Sequence, residues 1–383
     1  MFNIRKIVKE TIIDGVPYKP GKPIEELERE LGINDIAKLA SNENPCGTPE
    51  TAKKAIIETI DKLYLYPDGE SFLFKSAIAK HHSVDYNTII TGNATDELLQ
   101  IAMITFLNQG DNVISSEHSF LRYGQMTKIA GGIYKQAPMK NMRYDLDAIY
   151  KLIDDKTKLI VIANPNNPTG TIVYDKEVRN FLDKVPENIA IIFDEAYEGF
   201  VESEEYPDSL KLQKEYPNKP IITMRTFSKL YGLAGLRVGY AIANPEIIKY
   251  FNIVRGPFNI NMLAQAAGIA CVNNTDHAKK SKELCVTEKK YLYQEYKRLG
   301  VEVTPTEANF ILVKIDDKYD GQKIVDSLLR AGIIVRPMGA WGFNDNYMRI
   351  TIGTHEQNVK LINALEKIFE KTAPKTNGAS SHA

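Results

Sequence analysis

The chain has 383 residues, 48 Lys and Arg against 49 Asp and Glu, and a formal net charge of −1. Charge so balanced offers no basic excess for a nucleic-acid backbone or an anionic membrane, and the length exceeds what one hydrophobic core usually serves, so two lobes are expected. The longest apolar runs are strand-sized and Met1-Phe2-Asn3-Ile4-Arg5-Lys6 lacks the apolar stretch of a secretory signal, so the expectation is a cytoplasmic chain without membrane or nucleic-acid partners.

Cys46, Cys271 and Cys285 are odd in number and widely spread, which suits reduced thiols better than a disulfide framework. The six histidines show no ligand spacing, so no metal is expected. Neither a G-x-x-x-x-G-K-S/T loop nor a G-x-G-x-x-G turn occurs.

In chain order, residues up to about 35 read as an arm with an amphipathic helix around Ile24 to Leu31, and a large lobe begins near Ser41. Residues 88–91 and 113–115 are apolar, strand-like runs. Between them, Gly92-Asn93-Ala94-Thr95-Asp96-Glu97 opens a helix, with Asn93 or Thr95 as its cap. The exposed N–H groups and positive dipole end of such a turn suit a phosphate. Leu159-Ile160-Val161-Ile162-Ala163 then stops at Asn164-Pro165-Asn166-Asn167-Pro168-Thr169-Gly170, where prolines and glycine end the strand. Ile189-Ala190-Ile191-Ile192-Phe193 ends in Asp194-Glu195-Ala196-Tyr197. Pro220-Ile221-Ile222-Thr223-Met224 leads into T-F-S-K-L-Y-G-L-A-G-L-R-V-G, from Thr226 to Gly239. A smaller lobe follows, with strands expected at 310–313, 333–335 and 347–352; in the last, period-two alternation sets Met348, Ile350 and Ile352 on one face and Arg349 and Thr351 on the other.

In open parallel sheets small ligands bind beyond the carboxyl ends of the strands, so Asn167, Asp194 and Lys229 are expected to converge on one pocket. Lys229 supplies an amine that can hold an aldehyde cofactor covalently. Thr226 and Ser228 offer hydroxyl donors, and the planar fork of Arg237 suits a phosphate. A carboxylate at Asp194 beside a pyridine nitrogen keeps that nitrogen protonated: at about 4 Å and an effective dielectric near 20 the pair attracts by roughly 4 kcal/mol. Asn167 and Tyr197 would donate hydrogen bonds to a ring oxygen. Singly, each residue has an ordinary structural reading. Lys229 reads as a solvated surface group, Asp194 as a helix N-cap, Tyr197 as a core aromatic, Arg349 as a solvated edge arginine and Arg336 as half of a surface ion pair. Their order and spacing join them.

N-P-N-N-P-T-G, D-E-A-Y and S-K-x-Y-G-L-A-G-L-R-V-G-Y, in this order, resemble the fold-type I pyridoxal-phosphate aminotransferases, in particular the histidinol-phosphate aminotransferase family. Pro17-Tyr18-Lys19-Pro20-Gly21-Lys22-Pro23, Lys38-Leu39-Ala40-Ser41-Asn42-Glu43-Asn44-Pro45 and Met348-Arg349-Ile350-Thr351-Ile352-Gly353-Thr354 are similar to the family's terminal signatures, and the resemblance runs from about residue 5 to about residue 370. It implies an α/β fold of aspartate-aminotransferase type, a large mainly parallel sheet lobe with a smaller α+β lobe. The division expected is an arm at 1–40, a cofactor-binding domain at 41–260, a small domain at 261–371 and a polar, disordered tail at 372–383.

Carried over position by position, the resemblance sets the cofactor phosphate against Ala94 and Thr95 and stacks Tyr123 on the cofactor ring. Tyr66 would reach across a homodimer to the other subunit's phosphate; alone it reads as the start of a turn before Pro67. His118 stands where many members carry proline. Lys229, Asp194, Tyr197 and Asn167 become the catalytic set, with Tyr18, Arg336 and Arg349 toward the substrate. The reaction implied is transfer of an amino group from histidinol phosphate to 2-oxoglutarate, giving imidazole-acetol phosphate and glutamate in histidine biosynthesis. An aromatic amino-acid aminotransferase is the near alternative; a pyridoxal-phosphate decarboxylase and a non-catalytic binding protein are more distant.

Overall fold

The computed structural model describes residues 3–19 and 21–372. Pro20 of the arm motif and the tail from residue 373 onward lie outside the described residues. Seven strands make the large sheet: β1 (Ile89–Gly92), β2 (Asn112–Ser116), β3 (Ile133–Ala137), β4 (Thr157–Ala163), β5 (Ala190–Asp194), β6 (Ile221–Thr226) and β7 (Gly239–Ala243). Their order is β1-β7-β6-β5-β4-β2-β3, parallel throughout except for β7, which runs antiparallel to both of its neighbours.

Strands β4 and β5 are apolar without alternation because both of their faces are buried, Ile160, Val161 and Ile162 beside Ile191, Ile192 and Phe193. Full burial of each such side chain is worth about 1.5–3 kcal/mol. The register pairs Ala163 with Asp194 and Asp194 with Met224, so the loops after β4, β5 and β6 leave the sheet side by side.

A four-stranded antiparallel sheet follows, β8 (Glu302–Thr304), β9 (Phe310–Lys314), β10 (Arg336–Pro337) and β11 (Tyr347–Thr351), in the order β8-β9-β11-β10. Its core joins Phe310, Ile311, Met348 and Ile350 to Leu292, Tyr296, Leu361 and Leu365, and it takes in Tyr197 and Phe200 from the loop after β5. The two sheets are thus linked through the wall of the cleft between them. The helix Met262–Asn273, just beyond position 261, packs on the helices Glu50–Thr59 and Phe72–His82 and shares a core with Phe227, Val238 and Tyr240.

The expected helix Ile24–Leu31 forms with those bounds and ends at Gly32, whose φ is 65°. The run 333–335 differs from expectation. Ile333–Ile334 pairs in parallel with Ala37–Lys38, whereas Arg336–Pro337 pairs with β11, so Val335 marks the point where the chain passes from one sheet to the other.

Candidate active site

A cavity of about 310 Å³ lies beyond the carboxyl ends of β4, β5 and β6. Tyr18, Ala94, Thr95, Tyr123, Asn167, Asp194, Tyr197, Thr226, Ser228, Lys229, Arg237, Arg336 and Arg349 all line it. Of the residues singled out in the sequence, Tyr66 is not among them. It is 81% exposed and stacks on Phe258, with ring centroids 4.8 Å apart.

Lys229 is carried by the tight turn after β6. Phe227 N–H bonds Val238 O at 3.0 Å, and Gly232 N–H bonds Lys229 O at 3.2 Å. Gly232 has φ 65°, and a Cβ there would meet Gly47 O at 2.1 Å, so backbone passes where any other residue would collide. Lys229 Nζ donates to Ser41 O at 3.0 Å. Burial first, then the Arg349 guanidinium, pushes the ammonium from its ordinary 10.5 down to about 7, with Glu43 opposing.

Asp194, 5% exposed, ends β5 at the wall of the cavity. Tyr123 OH donates to its Oδ2 at 2.6 Å, and Ala196 N–H reaches its Oδ1 at 3.3 Å. Burial pushes the Asp194 carboxyl up while these two donors hold it down. Tyr123 therefore anchors this carboxylate as well as walling the cavity. Glu195, next in the motif, forms a buried pair with Arg225 at 2.9 Å instead of lining the cavity.

The helix Ala94–Phe106 opens beside the end of β6, and Gly239 permits the approach: a Cβ there would lie 2.7 Å from Arg225 O and 3.2 Å from Ala94. The expected side-chain cap is absent. Asn93 precedes the helix, but its side chain makes no cap bond; the Glu97 carboxylate instead accepts Asn93 N–H at 2.5 Å. Thr95 consequently stands in the first turn and lines the cavity with Thr226, Ser228 and Arg237. Thr226 Oγ1 donates to Ser228 Oγ at 3.0 Å, and Arg237 Nη1 lies 3.4 Å from the same hydroxyl. Two hydroxyls, a helix N-terminus and a guanidinium form a cradle suited to a dianion.

Arg349, on β11, is buried, contrary to the solvated reading of an edge arginine. Nη1 donates to Asn167 Oδ1 at 2.5 Å and Nη2 to Ala40 O at 2.6 Å, while buried Nε has no protein partner. Because Asn167 Oδ1 is occupied, its amide is left as a donor. Arg336 opposes Arg349 across β10 and β11; its Nη2 donates to Lys19 O at 2.6 Å, and its guanidinium lies 6.0 Å from the Tyr18 ring. No acidic partner pairs with it among the described residues. The arm thereby closes one side of the cavity.

Sequence reasoning assigned no role to Ser41 or Asn42. Asn42 Nδ2 donates to Tyr197 OH at 2.9 Å, and its backbone N–H bonds Thr351 Oγ1 at 2.9 Å. The polar cluster Ser41-Asn42-Glu43-Asn44 is the signal from which they could have been found.

The model of the aminotransferase class I and II family matches residues 34–365. A histidinol-phosphate aminotransferase of Moorella thermoacetica is 44% identical over 361 residues, covering 94% of this chain and 92% of that one. Histidinol-phosphate aminotransferase 2 of Haemophilus influenzae is 47% identical over 354 residues, covering 92% and 95%. Among solved structures, histidinol-phosphate aminotransferase from Sinorhizobium meliloti in complex with pyridoxal-5'-phosphate is similar, with a TM-score of 0.86, 26% identity, and coverage of 95% of this chain and 98% of that one. The fold and cavity are those of a class I and II aminotransferase. Within that class, the chain belongs to the histidinol-phosphate aminotransferase family.

Proposed function

We propose that this enzyme uses pyridoxal 5'-phosphate to move the amino group of histidinol phosphate to 2-oxoglutarate, giving imidazole-acetol phosphate and glutamate in histidine biosynthesis. The observation carrying this reading is the convergence of one half-buried amine, one buried carboxylate and two arginines on a single cavity. The donor set fits the cofactor: Asp194 for the pyridine nitrogen, the amide of Asn167 and hydroxyl of Tyr197 for the ring oxygen, and Ala94, Thr95, Thr226, Ser228 and Arg237 for the phosphate. Tyr123 would flank the ring. When bound, the cofactor supplies an aldehyde carbon for amines and a ring that delocalises the electron pair left at the substrate's α-carbon.

Lys229 holds the cofactor between turnovers and, released by the incoming amine, carries the proton from the α-carbon. An amine near pH 7 in its pKa is neutral often enough to accept that proton and acidic enough to return it. Asp194 would face the ring nitrogen, with Tyr123 fixing its Oδ2. Arg349 and Arg336 anchor the substrate's anion, a phosphate in one half-reaction and a carboxylate in the other, and Tyr18 packs beside Arg336.

The active unit we propose is a cytoplasmic homodimer, consistent with three free thiols and with the exposed apolar run Leu63, Tyr64, Leu65 and Tyr66. Tyr66 would serve the partner's cofactor phosphate. We divide the chain into the arm at 1–40, the large domain at 41–260 and the small domain at 261–371, with the helix Met262–Asn273 lying against the large one. A panel of histidinol phosphate, phenylalanine, tyrosine and leucine with 2-oxoglutarate, scored by kcat/KM, tests the substrate. Histidinol phosphate should lead; a lead for phenylalanine or tyrosine would make the enzyme an aromatic aminotransferase.

A further inference from the structure

The loop between β2 and the helix Arg122–Ala130 reaches across to the small sheet through His118. His118 has φ 47°, a left-handed backbone that proline's ring forbids and that asparagine and glycine tolerate best. Two bonds hold it there. Asn166 Nδ2 donates to His118 O at 3.0 Å, and His118 Nδ1 stands 2.5 Å from Trp341 O. A carbonyl only accepts, so Nδ1 carries the proton. The imidazole also stacks on Phe343, centroids 4.1 Å apart.

Trp341 is buried against Leu312 and Met338, with Leu121 of the His118 loop packed on the same cluster. The Arg336 guanidinium lies 5.2 Å from its ring centroid. From His118 a chain of contacts thus runs to Trp341 and on to Arg336, which lines the cavity together with Phe120 of the same loop. Nothing else pins the Trp341 carbonyl to the large sheet among the described hydrogen bonds.

We infer that His118 is a positioning residue: by holding the Trp341 carbonyl it fixes the indole on which Arg336 rests, and so sets the affinity of the cavity for the substrate's anionic group. This rests on the reading of Arg336 as an anion anchor. It further implies that Trp341, the one tryptophan of the chain, reports anion binding through its emission.

The test uses holoenzyme, titrated with inorganic phosphate while tryptophan emission is followed, and steady-state kinetics with histidinol phosphate. His118→Gly removes the donor without backbone strain. His118→Asn restores a donor, since its Nδ2 occupies the place of Nδ1, and tolerates the same backbone. Wild-type emission should change saturably with phosphate. In His118→Gly the half-saturating phosphate and the KM for histidinol phosphate should each rise about tenfold, the worth of one well-placed hydrogen bond, with kcat falling much less. His118→Asn should return both to within about threefold of wild type. Flat emission in wild type, unchanged phosphate affinity in His118→Gly, or His118→Asn behaving as His118→Gly would each overturn the inference. If histidinol phosphate is not turned over yet the phosphate titrations behave as expected, the substrate reading fails and the role of His118 stands. Normal turnover with phosphate binding indifferent to His118 is the reverse.

Discussion

Replacing Lys229 by methionine should stabilise the apoenzyme, and the gain should depend on pH in a definite direction. Burial and the Arg349 guanidinium hold the lysine's folded pKa near about 7 against an ordinary 10.5. For a base whose folded pKa is lowered, the folded state resists a proton that the unfolded chain binds, so the penalty is full below the folded value and fades as pH rises toward 10.5. The wild-type penalty then comes to about 4 kcal/mol at pH 7 and about 2 kcal/mol at pH 9. Methionine keeps most of the side chain's shape and escapes this penalty, but it loses the 3.0 Å bond to Ser41 O, a pH-independent cost of about 1 kcal/mol. Lys229→Met should therefore exceed wild type by about 3 kcal/mol at pH 7 and by about 1 kcal/mol at pH 9. Urea unfolding of both apoenzymes at the two pH values measures this. An advantage that is flat or larger at pH 9 would refute the claim that Lys229 is held in a cationic, poorly solvated place.

Arg349→Ala should lower kcat/KM by about 100-fold or more, mainly through KM, because a buried fork toward the substrate is lost; Arg349→Lys should recover little of it. Unchanged KM for both substrates would remove Arg349 from anchoring. Tyr123→Phe takes away a donor that holds the Asp194 carboxyl down, so the acid limb of the kcat/KM profile should move to higher pH, activity then being lost earlier as pH falls. An unmoved limb would show that the 2.6 Å bond does not tune this carboxylate. Gly232→Ala forces a side chain onto Gly47 O at 2.1 Å and a strained φ of 65°, and should cost about 2 kcal/mol or more, read as a drop in Tm. An unchanged Tm would mean that the turn relaxes freely.

Much of the cavity was legible because its residues sit at strand ends, where an apolar run breaks abruptly into polar and small residues. Asn167, Asp194 and Lys229 each follow such a break, and the sheet order brings their strands together. The helix Ile24–Leu31 was equally readable, since its apolar residues keep one helical face. What local pattern does not carry is partnership over long separations. Asn42 meets Tyr197 and Thr351, His118 meets Trp341, and none of these pairs leaves a periodic trace. The division of 333–337 between two sheets was hidden for a related reason: two-residue strands are too short to show alternation. Arg349 looked like an edge residue because its face alternates as an exposed one does, but its strand lies inside the small sheet and its guanidinium is held by Ala40 and Asn167 beside the Phe310 ring.

The most direct test is reduction of the enzyme with borohydride in the presence of pyridoxal phosphate, followed by peptide mapping. A phosphopyridoxyl label on Lys229, absent from Lys229→Ala together with turnover, is the predicted result. A label on another lysine, with Lys229 unmodified and turnover intact, would contradict the account.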